Sequence, residues 1–532
     1  MPSLAVYGDS GMGKSMLVEK FKDDYMLSAR EKPHGPKAKL LVVELAGRPN
    51  ERRLFAQILA VLGAPLNPRA TIVELERTTV RLLDDLGVQV LVLDEIHNVL
   101  AASWREQRVV FNTLRYLSNE LKLSLVCFGI MEARQAINGD VQLARRFDSI
   151  SLPRWIADKE FEQLVLAIVR NLPLKEPSVL TVKGLRRILL VSGGVSARIF
   201  RMLNDVAIEA IETGVERITD EALERYKPRG GRRGRFPMID DEDDAHRPLP
   251  VVLRPVDDEL LSSWLARHAA YYGVSGPFFA KWLMPGTRNL SLLDYRLGLA
   301  QVARLSEKLR CDPIALIEMT FIETPAGSAE LICRNRAPQI CRPCADRHAR
   351  DGASGAVPKH WRKAWRITCP ACGAPLSDTS ERLDTGETLQ DTSPFADVWK
   401  EAVAGEAIVE RFLRGDNSFD YSPIALMRAL LVHTWRPCGA NGREPAAGWA
   451  LGAIFPEFDN LARPIKRRIN HAAVAALPIS FRPALLAGIS RAIANPAILN
   501  AVRDETILRG RSAFERLCET ARLEAQAAKE SH

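Results

Sequence analysis

An α/β nucleotide-binding core with a parallel five-stranded sheet and a helical lid, followed by a mostly α-helical second half around a metal centre, is predicted by three features. A glycine-rich loop opens the chain at Gly8-Asp9-Ser10-Gly11-Met12-Gly13-Lys14-Ser15, an acidic pair Asp94-Glu95 closes a later apolar run, and two Cys-x-x-Cys pairs stand at 341–344 and 369–372. At 532 residues the chain exceeds a single core, and a prior of about 150 residues per domain predicts several units. Hydrophobic residues at 47% and charged residues at 26% exclude a wholly disordered or fibrous chain. No apolar stretch approaches the ~18 residues of a membrane span, and the first residues lack a basic segment and a small-residue cleavage site. A cytoplasmic protein without a membrane partner is therefore expected. The formal charge of +8 is compatible with an anionic partner such as nucleic acid.

Leu4-Ala5-Val6-Tyr7 predicts the first strand, and Met16 to Phe21 starts a helix behind the loop. Strand, glycine-rich turn and helix start are what a nucleoside triphosphate needs. The glycines let backbone N–H groups of residues 8–15 turn inward around phosphates, Lys14 reaches the terminal phosphates, and the Ser15 hydroxyl is placed for Mg²⁺. ATP with Mg²⁺ is thus the expected cofactor, and a glycine-rich turn that binds nothing is the alternative. Lys39 to Leu45 reads as a second strand, Glu51 to Leu62 and Thr71 to Leu86 as helices, and Val88 to Leu93 as a third strand. That strand delivers Asp94 and Glu95 to the carboxyl edge of a parallel sheet, where ligands sit. Asp94 is expected in the Mg²⁺ shell and Glu95 as the group that orients the attacking water.

Leu123 to Gly129 predicts the fourth strand, a helix is expected to run on into Gln142-Leu143-Ala144-Arg145-Arg146-Phe147, and Ile150 to Pro153 predicts the fifth strand. From Asp158 to about Tyr226 the pattern is helical, broken at Gly193-Gly194. A five-strand core over 1–155 with a helical lid over 156–226 is the AAA+ plan. In that plan Arg145 or Arg146 is the candidate finger reaching a neighbour's γ-phosphate, and Arg198 the candidate lid arginine; an arginine pair on a solvated face is the alternative.

The phosphate loop, the Leu-Asp-Glu-Ile-His-Asn run at 93–98, the Gln142 to Phe147 segment and the Gly193 to Arg198 turn resemble TniB, the transposition ATPase related to TnsC and MuB. Two departures from the family stand out. Gly129 is followed by Ile130, which cannot hydrogen-bond, where the family has a polar sensor, so slow hydrolysis is expected. The chain also starts three residues before its first strand, whereas the family carries a preceding segment that encloses the adenine. The expectation is a start lying further upstream or an incomplete adenine pocket.

Between Lys227 and Pro250 glycines and prolines interrupt a run of arginines, and an acidic run at 240–244 follows; this reads as a flexible charged linker over 227–249. In the second half Cys341-Arg342-Pro343-Cys344 and Cys369-Pro370-Ala371-Cys372 form two knuckles, each able to offer two thiolates to one ion. Together they predict a closed tetrahedral Zn²⁺ site, with His348 and His360 as nearby donors that four cysteines leave unneeded. Leu253-Arg254-Pro255, Asp258 to Arg267, Trp361, Trp365 and the 369–376 knuckle resemble TniQ, the targeting adaptor of the same transposons, over about 250–380. Residues 381–532 read as helices without a motif. Arg463 to Arg468 is a basic run that reads first as a solvated helix start.

The two resemblances imply a natural fusion that binds double-stranded DNA, self-associates into an ATP-dependent ring or filament near the nucleoid, and recruits a separate DDE transposase. What directs the adaptor stays open between a CRISPR effector, a sequence-specific DNA site and another factor. A nucleotide-switched, zinc-containing DNA-binding regulator or defence protein without transposition is the alternative from the same motifs.

Overall fold

Five parallel strands carry the first half, in the order β2-β3-β4-β1-β5. They are β1 Ser3–Gly8, β2 Lys39–Glu44, β3 Val88–Asp94, β4 Ser124–Gly129 and β5 Phe147–Leu152. The computed structural model describes residues 3–31, 39–45, 47–138, 146–227, 247–287, 289–324, 328–334, 339–379, 387–438, 443–506 and 508–530. It divides the chain into two units, Met1–Val251 with Tyr272–Val274 and Val252–Tyr271 with Ser275–His532.

In the first unit β1 and β3 are buried along their carboxyl halves, as expected of apolar strands covered on both faces. Helix α1, Lys14–Glu31, leaves the glycine loop directly. Helix α2, Glu51–Leu62, is capped by Asn50, and α3, Ile72–Asp85, by a Thr71–Glu74 capping box. Both match the helices read from the sequence. Helix α4, Trp104–Glu120, starts at a second capping box, Ser103–Glu106. Helix α5, Met131–Asn138, ends before the Gln142 to Arg145 segment, which lies outside the described residues. The helix expected to run into Phe147 does not reach it, because Phe147 already belongs to β5 and pairs with Ser3. The cause is the edge position of β5: its residues are half-buried or exposed, so Asp148, Ser149 and Ser151 hide the strand from an apolar count.

Four helices form the lid: α6 Lys159–Arg170, α7 Val182–Ser192, α8 Ser196–Glu212 and α9 Asp220–Arg225. They bury Phe161, Val165, Ile188, Ile199, Leu203 and Leu223 together. Gly193 ends α7 in the left-handed region, and a Cβ on Gly194, at φ +73°, would stand 2.4 Å from Trp155 O. Only glycine fits that turn. Most of the charged linker, 228–246, lies outside the described residues.

The second unit is built on one core in which Leu260, Trp361, Trp365 and Ile367 pack with Leu389, Val409, Leu430 and Leu486. Its helices include α10 Leu261–Tyr271, α11 Arg342–Arg350, α12 Trp399–Leu413 and α13 Arg482–Ala494. The helices expected beyond residue 380 are joined by an antiparallel hairpin of β6 His433–Cys438 and β7 Arg443–Trp449. Thr434 and Trp449 are buried in it, and β-branched and aromatic residues of this kind favour a pleated surface. Among the described residues no single helix is long and apolar enough to cross a membrane. A bent pair, Ile479–Ala494 with Ala497–Asp504, meets that test jointly, but α13 is buried in the core of its own unit.

Helices α12 and α13 approach so closely that a Cβ on Gly405 would lie on the Leu486 carbonyl. Gly405→Ala is therefore expected to destabilise the second unit by about 3 kcal/mol, measured by urea unfolding. A loss below about 1 kcal/mol would contradict this packing.

Candidate functional site

The loop after β1 is shaped by Gly11 at φ +85° and Gly13 at φ +94°. Among the described residues no atom beyond its chain neighbours lies within 4 Å of where a Cβ on Gly13 would stand, so the space beside that glycine is open. Lys14 is 7% exposed, and its ammonium donates to Gly8 O at 2.8 Å and Asp9 O at 3.0 Å. Ser15 Oγ donates to Asp94 Oδ2 at 3.0 Å, so two oxygens from opposite ends of the predicted site converge across 79 residues of chain. Asp94 Oδ1 accepts from Glu95 N at 2.8 Å, which fixes the carboxylate. An AAA+ fold implies ATP and Mg²⁺, and this set fits them: Ser15 and Asp94 would hold the ion, which neutralises phosphate charge when bound.

Glu95 sits at φ +55°, a left-handed conformation that costs a non-glycine residue on the order of 1–3 kcal/mol. Its Oε2 lies 2.9 Å from His97 Nδ1, although the two are not aligned for a hydrogen bond. Asn98 donates to Leu45 O at 2.6 Å and ties the acidic turn to the end of β2. Sequence reasoning passed over His97 and Asn98, although both stand inside the quoted 93–98 run. Ile130 is half-buried directly after β4, at the edge where a polar sensor was expected.

The lid meets the loop through backbone contacts. Ala197 N donates to Gly11 O at 2.9 Å, and a Cβ on Gly11 would come 3.1 Å from Ala197 Cβ. Trp155 N donates to Gly194 O at 2.9 Å, and Trp155 Nε1 to Ser196 Oγ at 2.9 Å. Arg154, which the sequence reading did not single out, pairs with Asp9 Oδ2 at 2.6 Å. Arg198 follows Ala197 in the first turn of α8 and is exposed, with no ion pair among the described residues. Arg146 is exposed, and its Nη1 donates to Asn119 Oδ1 at 2.6 Å. Arg145 lies outside the described residues.

In the second unit the sulfurs of Cys341, Cys344, Cys369 and Cys372 all lie within 4.8 Å of one another. Cys341 and Cys372 are 3.4 Å apart and Cys344 and Cys369 3.7 Å. Bonds of ~2.3 Å to a tetrahedral ion give edges of about 3.8 Å, so the donor set fits one zinc-sized ion. The Cys369 thiol is held well below its usual range by hydrogen bonds from Cys341 and His360. Glu406, buried on α12, accepts from Arg366 Nη1 at 2.8 Å, Ile367 N at 3.2 Å and Thr368 N at 3.1 Å, and so fixes the segment entering the second knuckle. Burial pushes the Glu406 carboxyl up, against those donors.

The TniQ-like signature residues also find their places. Arg267 grips Glu259 with two bonds of 2.9 and 2.7 Å, while Trp264 Nε1 donates to Leu253 O at 2.8 Å. Ser262 donates to buried Asp294 from both N and Oγ, at 2.9 and 2.7 Å. These residues hold the segment together from inside and are not displayed to solvent.

The strand order, glycine loop and helical lid are those of an AAA+ nucleotide-binding fold. The chain further matches the bacterial TniB protein family over residues 1–157 and the TniQ family over residues 250–376. It therefore carries a TniB domain and a TniQ domain in one polypeptide. Similar solved structures include the ORC2 protein of Aeropyrum pernix in its ADPNP–ADP complexes, 16% identical with a TM-score of 0.33 over 42% of this chain and 60% of that one. Cdc6p from Pyrobaculum aerophilum is 19% identical with a TM-score of 0.32, over 41% and 58%. The RuvB Holliday junction branch migration motor of Thermotoga maritima is 14% identical with a TM-score of 0.26, over 42% and 60%. The chain spans about three fifths of the length of each. No curated protein matches the chain.

Ser15→Ala and Asp94→Asn are each expected to lower Mg²⁺-dependent ATP turnover roughly 100-fold, assayed as phosphate release. Turnover with parental Mg²⁺ dependence in either variant would contradict a Mg²⁺ site at Ser15 and Asp94.

Proposed function

We propose that this chain is an ATP-dependent, DNA-binding transposition regulator and target-selection adaptor that recruits and activates a separate DDE transposase. The observation that carries the reading is the presence in one chain of a TniB domain with its phosphate loop, Ser15 and Asp94 brought together, and a TniQ domain. ATP-bound copies would assemble on double-stranded DNA as a ring or filament. Lys14 would neutralise the terminal phosphates, Glu95 would orient the attacking water, Arg145 or Arg146 would reach the γ-phosphate of a neighbouring copy, and Arg198 would contact it from the lid. Ile130 at the sensor position supports slow hydrolysis and hence a long-lived assembled state. The TniQ domain would mark the target together with a directing factor such as a CRISPR effector. Its four cysteines would hold zinc as a structural ion.

A basic, aromatic surface on the first unit supports the DNA partner. Trp104 is 63% exposed at the start of α4, and Arg105 and Arg108 beside it are exposed without an ion pair among the described residues. Thr113 Oγ1 on α4 bonds Glu51 Oε1 on α2 at 3.2 Å, so the two helices lie side by side. Exposed Arg48 stands close enough to Glu106 for its charge to act on that carboxylate, which the Ser103 hydrogen bonds already hold below its usual range. Four arginines, counting Arg53 beside Arg48, outnumber the carboxylate of Glu106 there, and with the aromatic face they suit a phosphate backbone.

Sedimentation and electron microscopy with double-stranded DNA test this. ATP, more than ADP, should drive assembly, Lys14→Ala should abolish it, and Glu95→Gln should prolong it. Arg105→Ala with Arg108→Ala should weaken binding on all sequences and reduce the salt slope by about 2. Lys14→Ala protein that assembles as well as the parent would defeat the nucleotide-switch reading. Elemental analysis should find about one zinc per chain, and native protein without it would defeat the zinc reading.

A further inference from the structure

Four thiolates around one divalent ion leave a net charge of about −2 that the surroundings must offset. Two side chains outside the cysteine set reach the sulfurs. Arg347, on α11 three residues after Cys344, donates from Nη2 toward Cys344 Sγ at 3.5 Å. His360 is 4% exposed, and its Nε2 stands 3.6 Å from Cys369 Sγ. The opposite ring nitrogen, Nδ1, lies 3.2 Å from Asp258 Oδ2, and the same carboxylate oxygen accepts from His360 N at 3.2 Å. Asp258 itself sits at φ +58°, and its carbonyl accepts from Lys359 N at 2.7 Å. A strained backbone held on both sides of its side chain keeps that carboxylate in place, and the carboxylate sets which way the imidazole faces.

We propose that Arg347 and the Asp258–His360 pair, with His360 as an imidazolium held between the carboxylate and a thiolate, form an outer shell that donates hydrogen bonds to the Cys344 and Cys369 sulfurs and sets the affinity of the four-cysteine centre for its metal. The proposal rests on reading the cysteines as a zinc site. Arg347 and His360 are positioning residues, since they touch ligand atoms and not the ion. The two donors arise independently, one from the helix that follows the first knuckle and one from a turn nine residues before the second, and each takes a different sulfur. A role follows for Asp258 within the 253–267 segment: it joins that segment to the metal centre, while its neighbour Glu259 holds Arg267.

The test uses the full chain loaded with zinc, titrated against a colorimetric chelator, and a cobalt-substituted sample whose sulfur-to-metal charge-transfer band reports on the sulfurs. Arg347→Met and His360→Phe should each lower metal affinity roughly 10–100-fold and move the band to lower energy. Arg347→Lys and His360→Gln, which keep an N–H donor, should recover most of the affinity. Arg347 is exposed, so its variants remain informative if His360→Phe fails to fold. A metal-loaded parent with Arg347→Met unchanged in affinity and spectrum would overturn the outer shell alone. A parent that takes up neither zinc nor cobalt would overturn both this inference and the zinc reading.

Discussion

The 2.9 Å bond from Ala197 N to Gly11 O joins the glycine loop to the lid, and the arrangement of the proposed nucleotide site rests on that junction. The loop is the part proposed to hold phosphate, and α8 is the part that carries Arg198. With no side chain at residue 11, the lid helix can sit against the loop backbone, and Gly194 allows the same closeness at the hinge beside Trp155. Arg154 on Asp9 adds a second tether from the hinge to the loop. Both of its partners are largely exposed, so that pair contributes position more than stability.

In the second unit buried charge does the equivalent work. Glu259 with Arg267, and Glu406 with Arg366 and the backbone of 367–368, are carboxylates whose desolvation is offset by several donors each. Removing one partner would leave a charge stranded in the core, which is why these groups fix one arrangement of the signature segment and the second knuckle. Glu406 lies outside the 250–376 match to the TniQ family, yet it holds residues inside that match.

Much of this was legible in the sequence because it was written locally. The glycine loop, the Asp94-Glu95 pair and the paired knuckles each place chemistry within a few residues, and the structure brings Ser15 to Asp94 and the four sulfurs to one point. Helix starts at Asn50, Thr71 and Ser103 follow capping rules that act over three residues. What was missed depends on distant partners. Phe147 joins a strand because Ser3 lies beside it, and the hairpin at 433–449 exists because Thr434 and Trp449 find a core. Arg154, Arg347 and His360 look like ordinary surface or spare residues until Asp9, Cys344 and Cys369 stand next to them.

In the proposed function, Gly11 and Ala197 would carry the nucleotide state from the loop to the lid. Hydrogen exchange of the backbone over residues 194–199, compared between Mg²⁺ with a slowly hydrolysed ATP analogue and Mg²⁺ with ADP, tests it most directly. Slower exchange at Ala197 is expected with the triphosphate, and this difference should vanish in Lys14→Ala. Equal exchange in both nucleotide states, in protein that demonstrably binds both, would contradict it.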